Sequence, residues 1–245
     1  MVRVIKAVRQ DLAAHSGPDA RRCYRRFFRE EIRCYGLKTA TVASIAGKHW
    51  KEIESREKQE ILALCEDLYR SGMLEEALIA SAWAPQLADR YDPRDIVVFQ
   101  HWIDAHIACQ AACDSLCNHT LGGFILRHPG GIEELKRWTQ SENRWMRRAA
   151  AVSLIVPAKC GELLTGILAI AGLLLTDTDD LVQKGYGWLL REASRRHMSE
   201  VFSFVMENRE DMPRAAFGYA IELMPDDLKA EAMIHPAAGA VPQRT

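Results

Sequence analysis

Apolar residues recur at the three- to four-residue spacing of one helix face over most of this chain. Strict alternation of apolar and polar residues, the pattern of a half-buried strand, is scarce. Breaks such as Ser16-Gly17-Pro18 and His128-Pro129-Gly130 divide the helical pattern into short segments. The sequence therefore predicts an all-α protein.

These breaks predict about fourteen helices joined by short links. Asp92-Pro93 opens one of them with proline at the first helical position, and Thr178 and Asp179 cap another. Thr39, Ser55 and Ser141 are also predicted caps. The segments are 2–14, 19–34, 39–50, 55–71, 73–90, a helix opening at 92, 108–126, 141–156 ended by Pro157, 162–175, 179–195, 198–208, 213–224 and 226–234.

A long run of short antiparallel helices indicates a curved α-solenoid of HEAT-like repeats, each about 40–47 residues long. No shift in composition marks a linker between domains. Residues 1–235 are therefore predicted to form a single HEAT-like repeat domain, and residues 236–245 a disordered C-terminal tail.

Composition excludes several classes of protein. The chain has 245 residues, of which 48% are apolar and 27% charged, so disorder of the whole chain is excluded. The net charge of -1 argues against a uniformly basic protein, but it leaves room for a basic patch. The longest apolar run, Leu163 to Leu175, is too short to span a bilayer and indicates a buried helix.

The seven cysteines have no disulfide-like spacing, and the first residues do not form a signal peptide. Both features predict reduced thiols and a cytoplasmic protein, in the bacterial cytosol or nucleoid. Cys109, Cys113 and Cys117 would form a stripe along one helix. A single stripe cannot surround a metal ion, so we interpret it as packing and predict no metal site.

Gln110 and Asp114 lie about 100° around the same helix from the cysteines. If the cysteines face the core, these two polar side chains face a groove. Without other information, a solvated surface carboxylate or a helix cap is the favoured interpretation of Asp114.

Basic side chains concentrate on three of the predicted helices. The second helix interleaves arginines with aromatic residues, including Arg25, Arg26 and Phe27. This stretch is either a solvated face or a surface that neutralises phosphates. Two later helices each carry cations on one face, the second around a tryptophan that either packs against them or contributes to a ligand surface. Their residues are Arg144, Arg147, Arg148, Lys184, Trp188, Arg191 and Arg195.

Common catalytic and nucleotide-binding motifs are missing from the sequence. It contains no GxxxxGK[ST] loop, GxGxxG, HExxH or Ser-His-Asp arrangement. Nucleotide hydrolysis, dinucleotide binding and zinc proteolysis are unsupported, and no cofactor is predicted.

Three segments resemble the AlkD-like DNA alkylation repair family. They are DSLCNHTLGGFIL (114–126), SENRWMRRAAAVSLI (141–155) and DLVQKGYGWLLREAS (180–194), and DMPRAAFGYAIELMP (211–225) is similar to the family's C-terminal helix. The family fold is a curved solenoid of HEAT-like repeats that cradles duplex DNA. Its characterised members are glycosylases that remove cationic N3- and N7-alkylpurines. The resemblance implies a monomeric, monofunctional glycosylase whose partner is alkylated duplex DNA, with no membrane and no nucleotide cofactor.

The resemblance also assigns roles to single residues. The family's catalytic carboxylate matches Asp114 through the motif D-S-L-x-x-H-x-L-G. The arginine of W-x-R-R-A matches Arg148, which is then expected to hold backbone phosphate, and the family's second tryptophan matches Trp188. These three residues lie 34 and 40 positions apart and are expected to converge on one concave, basic surface. The expected DNA contacts are Gln110, Arg144, Arg147, Lys184, Arg191, Arg25, Arg26 and Phe27.

One position departs from the family. Four residues before the carboxylate the family usually has tryptophan, whereas this chain has Gln110. Some relatives bind DNA, including branched DNA, without clear base excision. A non-catalytic protein that binds damaged or branched DNA is therefore the alternative to a glycosylase, and a helical protein–protein scaffold is a third possibility.

Overall fold

The computed structural model describes residues 2–16 and 32–234, and all regular elements within these ranges are helical. The α-helices are α1 (Val2–His15), α2 (Thr39–Trp50), α3 (Lys58–Arg70), α4 (Leu74–Trp83), α5 (Ile96–His106), α6 (Gln110–Leu116), α7 (Gly122–Arg127), α8 (Ile132–Trp138), α9 (Arg144–Val152), α10 (Ile155–Cys160), α11 (Leu164–Leu173), α12 (Asp180–Ser194), α13 (Met198–Asn208), α14 (Arg214–Ile221) and α15 (Asp226–Met233). Three 3₁₀ segments cover Ala84–Arg90, Pro93–Asp95 and Pro129–Gly131, and a π-helical segment, Cys117–Leu121, joins α6 to α7.

Several predicted helix starts are confirmed at the level of single hydrogen bonds. The Asp179 carboxylate accepts the N–H groups of Leu181 and Val182, which caps α12. Asp92 forms a capping box with Asp95 across the 3₁₀ segment that leads into α5. In both cases a short acidic side chain satisfies N–H groups that the first helical turn leaves without partners.

Other boundaries were wrong. The second predicted helix does not reach Cys34, because residues 32–38 are not helical and Arg33 forms an isolated bridge with Met73. Pro157 lies inside α10, in the first turn, where its missing N–H removes no intrahelical bond. Pro85 has the opposite effect at the end of α4, since the chain continues from there as a 3₁₀ segment.

The caps predicted at Thr39, Ser55 and Ser141 were also wrong. Lys38, Glu57 and Asn143 hold those positions, and of these only Asn143 caps with its side chain. Helix α8 was missed, because seven residues carry too little periodic pattern to separate a short helix from a loop.

Hydrogen bonds between distant residues show the repeat of the fold. Trp83 Nε1 donates to the Ala46 carbonyl, 37 residues away, at 2.9 Å. Asn143 Nδ2 donates to Asp104 Oδ1 at a separation of 39 residues, and His197 Nε2 bonds the Gly161 carbonyl at a separation of 36. Because each layer of helices contacts the layer about 37 residues away, the fold is a helical-repeat solenoid, as predicted.

Helix α12 lies at the centre of the C-terminal half. It packs against α9, α10, α11, α13 and α14. Its buried side includes Leu181, Tyr186 and Leu190, and Gly187 allows close approach of the α14 backbone at Ala216. The helix that carries the third family-like segment, residues 180–194, is therefore packed on several sides.

A buried carboxylate fixes the segment that precedes α2. Glu75 is completely buried and accepts the backbone N–H groups of Tyr35, Gly36 and Leu37 at 2.6–3.0 Å. Gly36 has φ +87°, a conformation that disfavours residues with a Cβ. Glu75 thereby fixes the backbone of residues 35–37 ahead of α2.

Some predictions concern residues outside the described ranges. Arg25, Arg26 and Phe27 lie there, and so does the predicted tail at 236–245. The single-domain assignment stays a prediction. Among the helices of residues 2–16 and 32–234, none has the length and apolar character needed to cross a membrane.

Candidate functional site

An aspartate on α6 and an arginine on α9 form a two-pronged ion pair. Arg148 Nε donates to Asp114 Oδ1 and Arg148 Nη2 donates to Asp114 Oδ2, both at 2.8 Å. This arrangement matches the planar guanidinium to the planar carboxylate and fixes the orientation of both groups. The structure thus brings together two of the residues that the family motifs single out.

Arg148 lies in the interior of the fold. It is only 1% exposed, and its third nitrogen donates to the Leu181 carbonyl at the start of α12. A Cβ at Gly185 would lie 3.4 Å from Arg148 Nη1, so the guanidinium packs directly against α12. Burial is the largest single influence and would lower the pKa of Arg148, but the hydrogen bonds to Asp114 and the charge interactions around the guanidinium together outweigh it and raise that pKa.

The expected role of Arg148 in holding a backbone phosphate stays a prediction. A residue that holds a backbone phosphate needs an accessible guanidinium, and the donors of Arg148 are already used by Asp114 and the Leu181 carbonyl. What the structure shows is that Arg148 holds both oxygens of the Asp114 carboxylate.

Asp114 differs from its partner because part of it faces solvent. Its side chain is 18% exposed, and Gln110 Nε2 donates to Asp114 Oδ2 at 3.3 Å from one turn earlier in α6. The Asp114 carboxylate is therefore bound by the buried guanidinium of Arg148 and also accepts a hydrogen bond from the neutral amide of Gln110. A preorganised negative charge of this kind can stabilise a positive charge that develops beside it.

Trp188 lies on the same face of α12 as the two residues that contact Arg148. Leu181, Gly185 and Trp188 are spaced by four and three residues, which places them on one side of a helix. The indole is half-buried, and its Nε1 donates to Glu192 Oε1 at 3.2 Å. The ring is thereby fixed one turn along α12 from Gly185, the residue that packs against Arg148.

Glu192 was not among the predicted site residues. It is 3% exposed and accepts hydrogen bonds from Arg191 and Arg195 as well as from Trp188. Burial raises the pKa of Glu192, but these hydrogen bonds together lower it below its ordinary value. The sequence contained a signal, because Glu192 follows Trp188 by one helical turn and lies between two arginines.

The predicted cationic contacts of α9 and α12 are all engaged with carboxylates. Arg147 donates to Asp177 at 2.6 Å and to two backbone carbonyls, and Arg191 pairs with Glu192 and Glu222. Arg144 Nε lies 3.0 Å from Asp179, and Lys184 lies 3.0 Å from Asp180. A phosphate at any of these positions would share or replace a carboxylate partner, so their role toward DNA stays a prediction.

The cysteine stripe of α6 is packing, as interpreted from the sequence. Cys113 and Cys117 are completely buried, and Cys109 is nearly so. A hydrogen bond with Cys117 and burial raise the pKa of the Cys113 thiol well above its ordinary value. The Cys113 thiol therefore stays protonated at neutral pH.

Residues 8–224 match the family model described as DNA alkylation repair enzyme. The chain belongs to this family of DNA alkylation repair enzymes. DNA is accordingly its substrate or partner.

A solved structure described as a predicted DNA alkylation repair enzyme from Enterococcus faecalis is similar in fold, with a TM-score of 0.77 and 17% sequence identity. The similarity covers 86% of this chain and 98% of that one. No curated protein sequence matches the chain.

In this member of the DNA alkylation repair family, the buried charge of Glu192 is expected to stabilise the fold. Replacing Glu192 by Gln removes a buried charge that binds three donors, and we expect a loss of about 2 kcal/mol in unfolding free energy at pH 7. Because the folded pKa of Glu192 is lowered, its contribution is complete above the ordinary glutamate pKa of about 4.3 and is lost as the pH falls further. Urea unfolding of both proteins at neutral and acidic pH measures the difference.

Glu222→Gln is the matched control, because Glu222 also pairs with Arg191 but is mostly exposed. We expect that substitution to cost less than about 1 kcal/mol. Equal losses in the two variants would show that burial of Glu192 does not strengthen its contacts.

Proposed function

We propose that this protein is a monofunctional DNA glycosylase that hydrolyses the N-glycosidic bond of cationic N3- or N7-alkylated purines in duplex DNA. The observation that carries the proposal is the Asp114 carboxylate, fixed through both oxygens by buried Arg148 and still partly open to solvent. This fixed, accessible negative charge is the group that can stabilise positive charge on the sugar during the reaction.

The chemistry needs little beyond that charge. Alkylation at N3 or N7 makes the purine cationic and weakens its bond to the sugar, so the bond breaks with positive charge developing on the sugar ring. A carboxylate beside C1′ stabilises this oxocarbenium-like state and orients a water molecule for attack. The water supplies the oxygen on the sugar, its proton leaves to solvent or to Asp114, and the neutral alkylpurine departs.

Trp188 supports the same step by a different force. An indole ring attracts a nearby cation through its electron-rich face. The hydrogen bond from Trp188 to Glu192 fixes the ring, so the ring need not reorganise when charge develops. We assign Trp188 to the wall of the site beside the reacting nucleotide.

Electrostatic attraction to phosphates would supply the affinity for duplex DNA. Arg144 and Lys184 are more accessible than Arg147 and Arg191, and we assign them the exchange of a carboxylate for a phosphate. Gln110, Arg147 and Arg191 are assigned to the same surface, and Arg25, Arg26 and Phe27, outside the described ranges, stay predicted DNA contacts.

The alternative function, binding of damaged or branched DNA without catalysis, rests on Gln110. Where the family usually has an indole, the amide donates a hydrogen bond to Asp114, which offers less stabilisation to a cation. The scaffold function has no comparable observation in its favour.

The deciding experiment is incubation of the purified protein with a DNA duplex that contains one 7-methylguanine, followed by alkaline cleavage at abasic sites. Strand cleavage above the spontaneous rate supports the glycosylase. DNA binding without cleavage supports the alternative, and absence of DNA binding contradicts both.

Gln110→Trp is expected to increase the rate of base release by about 2- to 30-fold, the range of cation–π energies. The indole would face the developing cation, and the amide hydrogen bond that Asp114 now accepts would disappear. Single-turnover release of 7-methylguanine measures the effect. Gln59→Trp, at an exposed position of α3, is the control for the added indole. An inert Gln110→Trp variant that still binds DNA would favour the non-catalytic function.

A further inference from the structure

Helices α3 and α5 bring one carboxylate and two imidazoles together, apart from the Asp114 site. His106 Nε2 lies 2.6 Å from Glu66 Oε1, and His101 Nε2 lies 3.1 Å from the same oxygen. One ligand atom from each residue lies within 4.8 Å of the others. His101 is mostly exposed, whereas His106 and Glu66 are largely covered, so the cluster opens to solvent on one side.

We infer that Glu66, His101 and His106 bind a divalent transition-metal ion, with Zn²⁺ as the best match. Two neutral imidazoles and one carboxylate are a common set of three protein ligands for zinc, and the fourth position is then filled by water. Imidazole nitrogens bind Zn²⁺ in preference to Mg²⁺ or Ca²⁺, which favour oxygen ligands.

The present distances leave only a small movement to make. Zinc bonds of about 2.0–2.1 Å in a tetrahedron separate neighbouring ligand atoms by roughly 3.3 Å. The 3.1 Å contact from His101 already has that separation, and the contact from His106 must lengthen by less than 1 Å. Rotation of the Glu66 side chain lengthens the contact with His106. Rotation of the exposed His101 side chain brings the two imidazole ligand atoms, which now lie within 4.8 Å of each other, to the tetrahedral separation.

The neighbouring cation does not obstruct the site. Arg70 Nη2 lies 3.4 Å from Glu66 Oε1, but Arg70 is largely exposed and one turn along α3. Such surface pairs contribute little, so the guanidinium can move into solvent when a metal ion neutralises the carboxylate.

A bound ion would join two repeats of the solenoid. Glu66 belongs to α3, and the histidines belong to the last turns of α5, 35 and 40 residues later. His106 ends α5 only four residues before Gln110 begins α6. The metal would therefore stabilise the connection that leads into the helix carrying Asp114, without contacting the reacting groups.

Titration of the full-length, chelator-treated protein with ZnCl₂, followed by calorimetry and thermal unfolding, tests the site. We expect one ion per chain and a rise in the unfolding temperature as zinc saturates the folded state. His101→Ala and His106→Ala are each expected to weaken binding at least tenfold. His15→Ala, an exposed histidine at the end of α1, should leave binding unchanged.

The cysteines require a second measurement, because Cys160 is exposed and thiolates also bind zinc. X-ray absorption of the zinc complex should show nitrogen and oxygen ligands only, and Cys160→Ala should bind zinc as the wild type does. The inference is overturned if the spectrum shows sulfur ligands, if both histidine variants bind like wild type, or if the protein binds no zinc.

Discussion

Asp114→Asn is expected to lower the single-turnover rate of alkylpurine release by about 10²- to 10³-fold, or roughly 2.7–4 kcal/mol in transition-state stabilisation. Asparagine keeps the size of the side chain and one acceptor oxygen, but it removes the negative charge. That charge is the group proposed to stabilise the developing cation on the sugar. Affinity for undamaged DNA should stay the same or rise slightly, because a carboxylate repels phosphates.

The surroundings of Asp114 require a check on folding. The substitution leaves the buried guanidinium of Arg148 without its counter-charge, so the variant is expected to unfold at a lower temperature. Rates must therefore be compared well below that temperature, with circular dichroism showing the same helix content in both proteins.

Asp89→Asn is the control for loss of a carboxylate that pairs with arginine. Asp89 pairs with Arg127 at a mostly exposed position, 38 residues away in sequence. The Asp89→Asn substitution should leave the rate of alkylpurine release unchanged. If a folded Asp114→Asn variant releases alkylpurine as fast as the wild type, Asp114 is not the catalytic carboxylate.

Arg148→Met is expected to lower the unfolding free energy by about 3 kcal/mol, since it removes one partner of a buried ion pair. Methionine fills much of the space, but it leaves the Leu181 carbonyl without its side-chain donor and Asp114 without its counter-charge. For a chain of this length the unfolding temperature should fall by roughly 6–12 °C. Thermal and urea unfolding measure both quantities.

Arg127→Met provides the comparison, because it removes the arginine of the exposed pair with Asp89. It should cost less than about 1 kcal/mol. Combining Arg148→Met with Asp114→Asn should recover part of the loss, because no unpaired charge then remains. A cost for Arg148→Met as small as that for Arg127→Met would contradict the interpretation of Arg148 as a buried positioning residue.

The all-helical fold could be predicted because its signals are local. The apolar spacing of α12 and the aspartate that caps it lie within a few residues of each other, and both were read correctly. Errors arose at Pro157 and at α8, where a proline in a first turn or a helix of only seven residues gives a weak local signal. The position of Asp114 beside Gln110 on one side of α6 is likewise a property of helical spacing.

The sequence by itself thus determined the class of fold, most helices and the family, because helix formation depends on neighbours three and four residues away. Only the tertiary structure decided that Arg148 is buried against α12 and holds Asp114, and that Glu192 fixes Trp188 while binding two arginines. The sequence does not distinguish an arginine that binds a phosphate from one that pairs with an exposed or a buried carboxylate. The stacking of repeats about 37 residues apart determines which carboxylate each arginine meets and how much water remains between them.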